Sequence, residues 1–300
     1  MRLDNLRETS NFEDLRGQGG FGMGGGPGWG GFGGLPLGLP IRGGGLGFVA
    51  FIILILLFGS NGGGGLLNGG YSTQQPTGVE STGAHGDEAE FAFARKIVGS
   101  AEDVWKPILQ AKGIAFTPAV VTFYTYDTPT GCGEGQSSAG PFYCPNDSHI
   151  YLDLSFFQQL ATQFGAPGEF ARAYVIAHEY GHHIQNLVGT MDKENAALQG
   201  ASAQGATGAS VRLELQADCY AGVWAYHANA QFHILEKGDV DSGLRAASAV
   251  GDDTLEKESQ GYAVPDSFTH GTSVQRMRWF TRGLAHGDMS DCDTFAARSL

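Results

Sequence analysis

Two histidines and a glutamate within one short motif constrain the fold of this 300-residue chain more than any other feature. The motif is His-Glu-Tyr-Gly-His at residues 178–182, and a proline-free run at 168–177 leads into it. Residues four apart share one face of an α-helix, so the two imidazoles stack. Neutral imidazoles suit Zn²⁺. The motif predicts a helix carrying half of a metal site, with Glu179 near the metal but not bound to it. Gly181 indicates that another group approaches the helix backbone closely at this position.

We expect the third ligand in a second helical run, residues 211–226. Glu214 and Asp218 lie four apart in this run, among small and apolar residues, so one helix face carries both carboxylates. Buried carboxylates are usually paired or bound to a metal. We therefore expect Glu214 to complete the zinc site and Asp218 to accept an N–H bond from a ligand histidine. Less well placed rivals for the third ligand are Asp192, His183, His227 and Cys219.

The expected metal site has an open coordination position, as hydrolysis by a metal-bound water requires. Three protein ligands keep a fourth position open for water, whose pKa on zinc falls toward about 7. Glu179 can then accept a proton as the water attacks a carbonyl group. His270, on a loop before a helix, is the expected donor to the developing oxyanion. Tyr143, Tyr151 and Tyr262 are weaker candidates for that donor. We expect Tyr143 and Tyr151 to contact substrate.

Several stretches together resemble the bacterial family of neutral zinc metallopeptidases, which have a glycine-rich N-terminus, one membrane-spanning segment and a peptidase-like domain. The stretches that carry the resemblance are 143–145, 150–154, 178–183, 214–224 and 268–273. The resemblance covers most of the chain and implies a single zinc ion per chain, held by His178, His182 and Glu214. It also implies that Glu179 is the catalytic acid and base. It adds little about the substrate, and the metalloprotease motif itself predicts that the substrate is a peptide or protein.

The N-terminal third differs in composition from the rest of the chain. Glycines crowd residues 17–70, and such a stretch does not form a packed core. An apolar run at 46–58 has flanking glycines that bring it close to the length of a spanning helix, and no signal-peptide cleavage site follows it. The predicted divisions are a flexible tail over 1–42, a transmembrane anchor over 43–59, a linker over 60–86 and a zinc peptidase domain over 87–300.

Charge and cysteine usage predict which side of the membrane holds the domain. Arg42 precedes the apolar run, and the linker after it has no lysine or arginine, which predicts an outward-facing domain. All four cysteines follow the apolar run, as an oxidising compartment permits. Three pairings are possible, and we predict Cys132 with Cys144 and Cys219 with Cys292; free thiols in a cytosolic protein are the alternative. The predicted location is the bacterial inner membrane, with the domain in the periplasm or exterior.

The C-terminal part is long enough for one domain with a sizeable core. Besides the two metal helices, apolar periodicity predicts helices over 88–113, 154–164, 239–249 and 272–285, and strands over 119–126 and 150–154. The predicted class is α+β, mainly helical and zincin-like, with a small sheet. We expect residues 150–154 to form the edge strand that pairs with substrate backbone. The net charge of −13 argues against nucleic acid as a partner.

These patterns together predict a membrane-anchored, gluzincin-like zinc metallopeptidase that hydrolyses peptide bonds. One alternative is a zinc-stabilised binding or scaffolding protein, which would place a fourth protein ligand such as His183 or His270 on the metal. Another is a zinc hydrolase of non-peptide amides. Arg276 and Arg278 lie on the last predicted helix. They could bind a substrate carboxylate, but charge at the helix surface is the commoner explanation. No pattern predicts the oligomeric state.

Overall fold

The computed structural model describes residues 1–17, 87–191 and 203–300. They form a mainly helical α+β arrangement with small sheets, which confirms this part of the predicted class. The helices of these ranges are α1 (Glu88–Ala111), α2 (Ser155–Thr162), α3 (Glu169–Leu187), α4 (Ala209–Phe232), α5 (Asp239–Ala249), α6 (Asp252–Gln260) and α7 (Ser273–His286). The strands are β1 (Phe12–Asp14), β2 (Val120–Phe123), β3 (Asp127–Thr130), β4 (Gly133–Gln136), β5 (Phe142–Cys144) and β6 (His149–Leu152).

Some sequence predictions lie outside the described residues. They concern the anchor over 43–59, the linker over 60–86 and the rival ligand Asp192. Among the helices that the structure describes, none combines the length and the apolar character needed to cross a bilayer.

The main sheet has the strand order β1-β2-β6-β5. Strands β1 and β6 run parallel to β2, and β5 pairs with β6 in the antiparallel sense. Our prediction that residues 150–154 form an edge strand is therefore wrong, because the chain reverses between β5 and β6 and lays β5 along the outer side of β6. The edge strand on this side of the described sheet is β5, which packs against α3. Strands β3 and β4 form a separate hairpin.

Residues 1–17 belong to the folded domain, unlike the flexible tail that we predicted over 1–42. Strand β1 pairs in register with β2, so that Glu13 lies beside Thr122. Leu6 is buried in the main core, and Phe12 packs partly buried against it. The prediction grouped these residues with the glycines that follow, because a strand of three residues gives almost no periodic signal.

Close approaches of helix backbones position the site. A Cβ atom added at Gly181 of α3 would lie 2.9 Å from the Ala217 carbonyl oxygen of α4, which accounts for the glycine in the motif. A Cβ atom at Gly283 of α7 would lie 2.0 Å from the Cys219 carbonyl oxygen of α4. Helix α4 is thus held between α3 and α7 at distances that only glycine permits.

Two disulfides join the predicted partners. Cys132 is bonded to Cys144, which ties the β3–β4 hairpin to β5. Cys219 is bonded to Cys292, which ties α4 to the segment after α7. The predicted pairing is therefore present in the structure.

Candidate metal centre

Helices α3 and α4 bring two imidazoles and one carboxylate together. The possible ligand atoms of His178, His182 and Glu214 all lie within 4.8 Å of one another. His178 Nε2 is 3.1 Å from Glu214 Oε2, and His182 Nε2 is 3.5 Å from Glu214 Oε1. The i, i+4 spacing on α3 stacks the two rings, and the contact at Gly181 brings the α4 carboxylate opposite them.

The opposite ring nitrogens show that this donor set fits a cation. His178 Nδ1 lies 2.9 Å from Asp218 Oδ1, and His182 Nδ1 lies 2.8 Å from Gln185 Oε1. Both oxygens are acceptors, so each Nδ1 donates to its partner, and each Nε2 faces Glu214. A ring that is held through Nδ1 in this way can offer Nε2 to a metal ion as a ligand. Two imidazole nitrogens and one carboxylate oxygen form a donor set that suits Zn²⁺.

The acceptor role of Gln185 is fixed by its own amide group. Gln185 Nε2 donates to the Leu213 carbonyl oxygen at 2.8 Å and to Gln216 Oε1 at 3.1 Å. Oε1 is therefore the amide atom left to face His182. Gln185 was not among the residues predicted for the site, although its position three residues after His182 places it on the adjacent helix face.

Asp218 holds His178 as the sequence predicted, and it does so within a larger buried network. Arg276 Nε donates to Asp218 Oδ2 at 2.8 Å, and Arg276 Nη2 donates to Oδ1 at 2.9 Å. The Tyr174 hydroxyl also donates to Asp218 Oδ1. Burial alone would raise the pKa of Asp218, but the Arg276 guanidinium and His178 hold it below its ordinary value. Asp218 therefore stays a charged acceptor.

Arg276 is not the helix-surface charge that we expected. It is buried between α7 and α4, whereas Arg278 is exposed and donates to the Leu300 carbonyl oxygen. The sequence contained a signal for this difference, since Trp279, Phe280 and Gly283 follow Arg276 at the spacing of one helix face and are buried with it. Tyr174 lies one helical turn before His178 and was also not identified.

Glu179 is buried and lines the same cleft as the three predicted ligands. Burial raises its pKa to about 8, although the nearby His178 opposes the change. A carboxyl group with a pKa near neutrality can both accept and release a proton. Glu214 differs, because the neighbouring imidazoles overcome the effect of burial and hold its pKa well below the ordinary value.

His270 lines this cleft from the other side, on the loop before α7. Its Nδ1 lies 3.1 Å from Asp252 Oδ1. Asp252 Oδ2 accepts the backbone N–H groups of Thr269, His270 and Gly271 at 2.7, 2.7 and 2.9 Å. One buried carboxylate at the start of α6 thus fixes the whole loop. Asp252 could not be recognised from the sequence, where it looks like an ordinary acidic residue in the first turn of a helix.

Other predicted residues lie away from the cluster. His183 Nε2 donates to the Thr117 carbonyl oxygen at 2.7 Å, and its Nδ1 faces the Tyr143 hydroxyl at 3.1 Å. The Tyr151 hydroxyl donates to Asp147 at 2.8 Å. Neither tyrosine lines the cleft, so the structure does not bring these two predicted substrate contacts to the site.

Two rival third ligands are also placed elsewhere. His227 Nε2 lies 2.7 Å from the Gly287 carbonyl oxygen, and Cys219 is in a disulfide. Within the part of the chain that the structure describes, the candidate metal group has three members.

The fold and the site define an α+β protein with a buried centre of two histidines and one glutamate, able to hold a divalent metal ion. Comparison with protein families then identifies the chain. Residues 1–295 match the family described as "Putative neutral zinc metallopeptidase", and the chain belongs to that family.

Two relatives show how far the similarity extends. The chain is 43% identical to "Uncharacterized protein YpfJ" of Escherichia coli K12 over 297 residues, which are 98% of this chain and 99% of that protein. It is 42% identical to "Uncharacterized protein Rv2575" of Mycobacterium tuberculosis H37Rv over 254 residues, which are 77% of this chain and 84% of that protein. No solved structure matches the chain.

Proposed function

We propose that this protein is a zinc-dependent peptidase that uses a water molecule to cleave peptide bonds. The observation that carries the proposal is the convergence of His178, His182 and Glu214, with Glu179 buried in the same cleft. Membership of a zinc metallopeptidase family supports it. The zincin-like, and more closely gluzincin-like, character of the site is part of the same proposal.

Each residue of the site has a role in this proposal. Zinc, when bound, polarises a carbonyl group and lowers the pKa of water. Glu179 accepts a proton from the attacking water and returns it to the leaving amine nitrogen, a transfer for which a pKa of about 8 is suited. His270, whose Nδ1 is held by Asp252, donates from Nε2 to the oxygen on the tetrahedral carbon. Asp218 keeps the His178 ring in one orientation and tautomer.

The number of protein ligands favours an enzyme over a zinc-stabilised scaffold. A structural zinc site is usually closed by four protein ligands, whereas a catalytic site keeps one position open. The candidate fourth ligand His183 is turned to Thr117 and Tyr143. His270 is not in the metal group that the described residues form. A non-peptide amide would need the same machinery, so the substrate class rests on the family.

We also propose that the domain works outside the cytoplasm, at the bacterial inner membrane. The two disulfides support an oxidising compartment, where such bonds persist. The residues predicted to contact the membrane lie outside the described ranges, so this location is an expectation from the sequence.

The proposal is tested by Glu179→Gln, which keeps the shape of the side chain and removes the proton acceptor. We expect zinc content to be unchanged and cleavage of a peptide library to fall by about 10²- to 10⁴-fold. The matched control is Glu258→Gln, at an exposed position of α6, and it should cleave like the wild type. Full activity in Glu179→Gln with zinc bound would contradict the proposed role.

A further inference from the structure

Gln185, the partner of His182, belongs to a series of buried hydrogen bonds that leads away from the metal centre. Gln185 Nε2 donates to Gln216 Oε1 at 3.1 Å, and Gln216 Nε2 donates to the Cys292 carbonyl oxygen at 2.9 Å. All three residues are buried, where a polar group without a partner is costly. We call the two side chains and this carbonyl oxygen the glutamine network. It connects His182 to the segment that follows α7.

Two backbone carbonyl oxygens set the direction of every bond in the glutamine network. A carbonyl oxygen only accepts, so the Cys292 oxygen must face the amide nitrogen of Gln216. Gln216 Oε1 then accepts from Gln185 Nε2, which also donates to the Leu213 carbonyl oxygen at 2.8 Å. Gln185 Oε1 is left to accept from His182 Nδ1 at 2.8 Å. Turning either amide over would bring two oxygen acceptors together, so His182 is offered one acceptor in one fixed place.

The Cys292 carbonyl oxygen is itself held firmly against α4. The disulfide from Cys219 to Cys292 is the covalent part of this attachment. Thr294 Oγ1 donates to the Arg212 carbonyl oxygen at 2.7 Å, and Arg212 Nη1 donates to the Thr294 carbonyl oxygen. Cys292 and Thr294 are fully buried. The start of the C-terminal segment is therefore packed on α4 as part of the domain.

The α4 residues that hold this segment share one face of the helix. Arg212, Gln216 and Cys219 are spaced by four and three residues, so a step of about 100° per residue brings them into one narrow stripe. Glu214 and Asp218 fall on the opposite face by the same count, towards the two histidines. The segment therefore lies behind α4 as seen from the metal centre, and Gln216 links the two sides.

We propose that Gln185 and Gln216 are positioning residues of the metal centre, and that the disulfide from Cys219 to Cys292 raises its affinity for zinc by holding the end of the glutamine network. A ligand histidine depends for its orientation on the acceptor at its other ring nitrogen. The acceptor of His182 is oriented, through two amides, by a bond behind α4. The proposal rests on the metal-binding part of the proposed function and is independent of peptide hydrolysis. A reduced chain, with two thiols in place of this bond, should hold zinc more weakly than the oxidised one.

Zinc competition titrations on the full-length protein test the part played by the disulfide. Cys219→Ala with Cys292→Ala removes the bond behind α4, and the control pair, Cys132→Ala with Cys144→Ala, removes the bond between the hairpin and β5. We expect zinc affinity to fall by about tenfold in the first pair, at the lower end of the effect of losing an outer partner of a ligand. The control pair should bind like the wild type. An equal change in both pairs, or no change in the first, would overturn the proposal.

Variants that keep both disulfides decide the matter if the first pair does not fold. Gln185→Met removes the acceptor of His182, and Gln216→Met removes its connection to the Cys292 carbonyl oxygen. We expect zinc affinity to fall about 10- to 100-fold in Gln185→Met and by about tenfold in Gln216→Met. The control is Gln110→Met, at an exposed position of α1, which should bind zinc like the wild type.

The Nδ1–H group of His182 gives a readout that a general loss of stability would not produce. In zinc-free protein labelled with ¹⁵N in histidine, its NMR signal is assigned by its absence from His182→Gln. We expect slow exchange with water in the wild type and in Gln110→Met, loss of the signal in Gln185→Met, and faster exchange in Gln216→Met. Unchanged exchange in Gln216→Met would overturn the proposal, whatever the zinc affinity.

The two measurements separate this proposal from the proposed function. The NMR signal is recorded without metal, so it reports on the glutamine network even if the wild type binds no zinc. A wild type that binds no zinc would refute the proposed function together with the effect on affinity. Zinc bound with equal affinity by the wild type, Gln185→Met and Gln216→Met would refute only the positioning role.

Discussion

At the residue scale, the buried ion pair of Asp218 with Arg276 fixes the position of His178. Asp218 is fully buried, and its two oxygens are shared among His178, Arg276 and Tyr174. The positive charge of Arg276 offsets the free-energy cost of burying the Asp218 carboxylate. The same bonds keep Asp218 aimed at His178 Nδ1. Stability of the domain and the position of a predicted metal ligand therefore depend on one guanidinium group.

Arg276→Met keeps the length of the side chain and removes its charge. We expect the free energy of unfolding to fall by about 3–5 kcal/mol, because Asp218 is left buried without a cation. We also expect zinc affinity to fall about 10- to 100-fold, because His178 loses a fixed orienting partner. Urea unfolding and zinc competition titrations measure the two effects. Arg278→Met, on the exposed side of the same helix, is the control and should change stability by about 0.5 kcal/mol or less.

Asp252 gives the protein a specific sensitivity to acid. Burial opposes ionisation, but the hydrogen bond and charge of His270 hold the pKa of Asp252 below its ordinary value of 3.8. A group whose pKa is depressed by folding contributes stability above its unfolded pKa and loses it as the pH falls through its folded pKa. Asp252→Asn should therefore be less stable than the wild type near neutral pH, and the difference should shrink below about pH 4. Urea unfolding across that range measures it; a constant difference would contradict this account.

The residues of the candidate metal site could be found in the sequence because their spacing is local. Residues four apart on a helix share a face whatever surrounds the helix, which suffices to place His178 with His182 and Glu214 with Asp218. Asp252 holds His270 from a separate helix, and only the packing of α6 against the loop reveals it. Arg276 is an intermediate case. The apolar pattern of α7 indicates that its helix face is buried, but it does not indicate that Asp218 is its partner.

At the scale of elements, close packing of α4 between α3 and α7 fixes where Glu214 stands. The glycines at the two crossings are Gly181 on α3, and Gly222 with Gly283 at the contact of α4 with α7. The close approach at Gly181 could be predicted, because a glycine inside a helix lowers stability relative to alanine and so needs a structural reason. The edge of the sheet was mispredicted because the hairpin that adds β5 to β6 depends on a turn, and β5 has only three residues. Short strands carry too few side chains to show which side of a neighbour they will occupy.

Gly283→Ala tests the contact between α7 and α4. In an exposed helix this change stabilises by about 1 kcal/mol, but here the new methyl group would meet the Cys219 carbonyl oxygen. We expect a loss of about 1–3 kcal/mol, because the two backbones must separate. Thermal unfolding measures the sign. Thr281→Ala, at an exposed position of α7, is the control; a stabilised Gly283→Ala protein would show that the helices do not touch there.

At the scale of the whole molecule, the domain is assembled from two parts of the chain that are far apart in sequence. Residues 1–17 complete the sheet and cover α1, while the disulfide from Cys219 to Cys292 ties the C-terminal segment to α4. The helix that begins at Glu88 could be predicted from apolar periodicity. The role of residues 1–17 could not, because pairing between β1 and β2 spans more than a hundred residues. Experiments on the isolated segment from residue 87 would therefore remove part of the fold.

The proposed function depends on a zinc ion held by His178, His182 and Glu214. The most direct measurement is the metal content of the full-length protein, purified in detergent, for the wild type, Glu214→Ala and the exposed control Glu258→Ala. We predict a single zinc ion per chain in the wild type and the control, a large loss in Glu214→Ala, and cleavage of peptides that a chelator abolishes. Absence of zinc from the folded wild type, or full zinc in Glu214→Ala, would contradict the account.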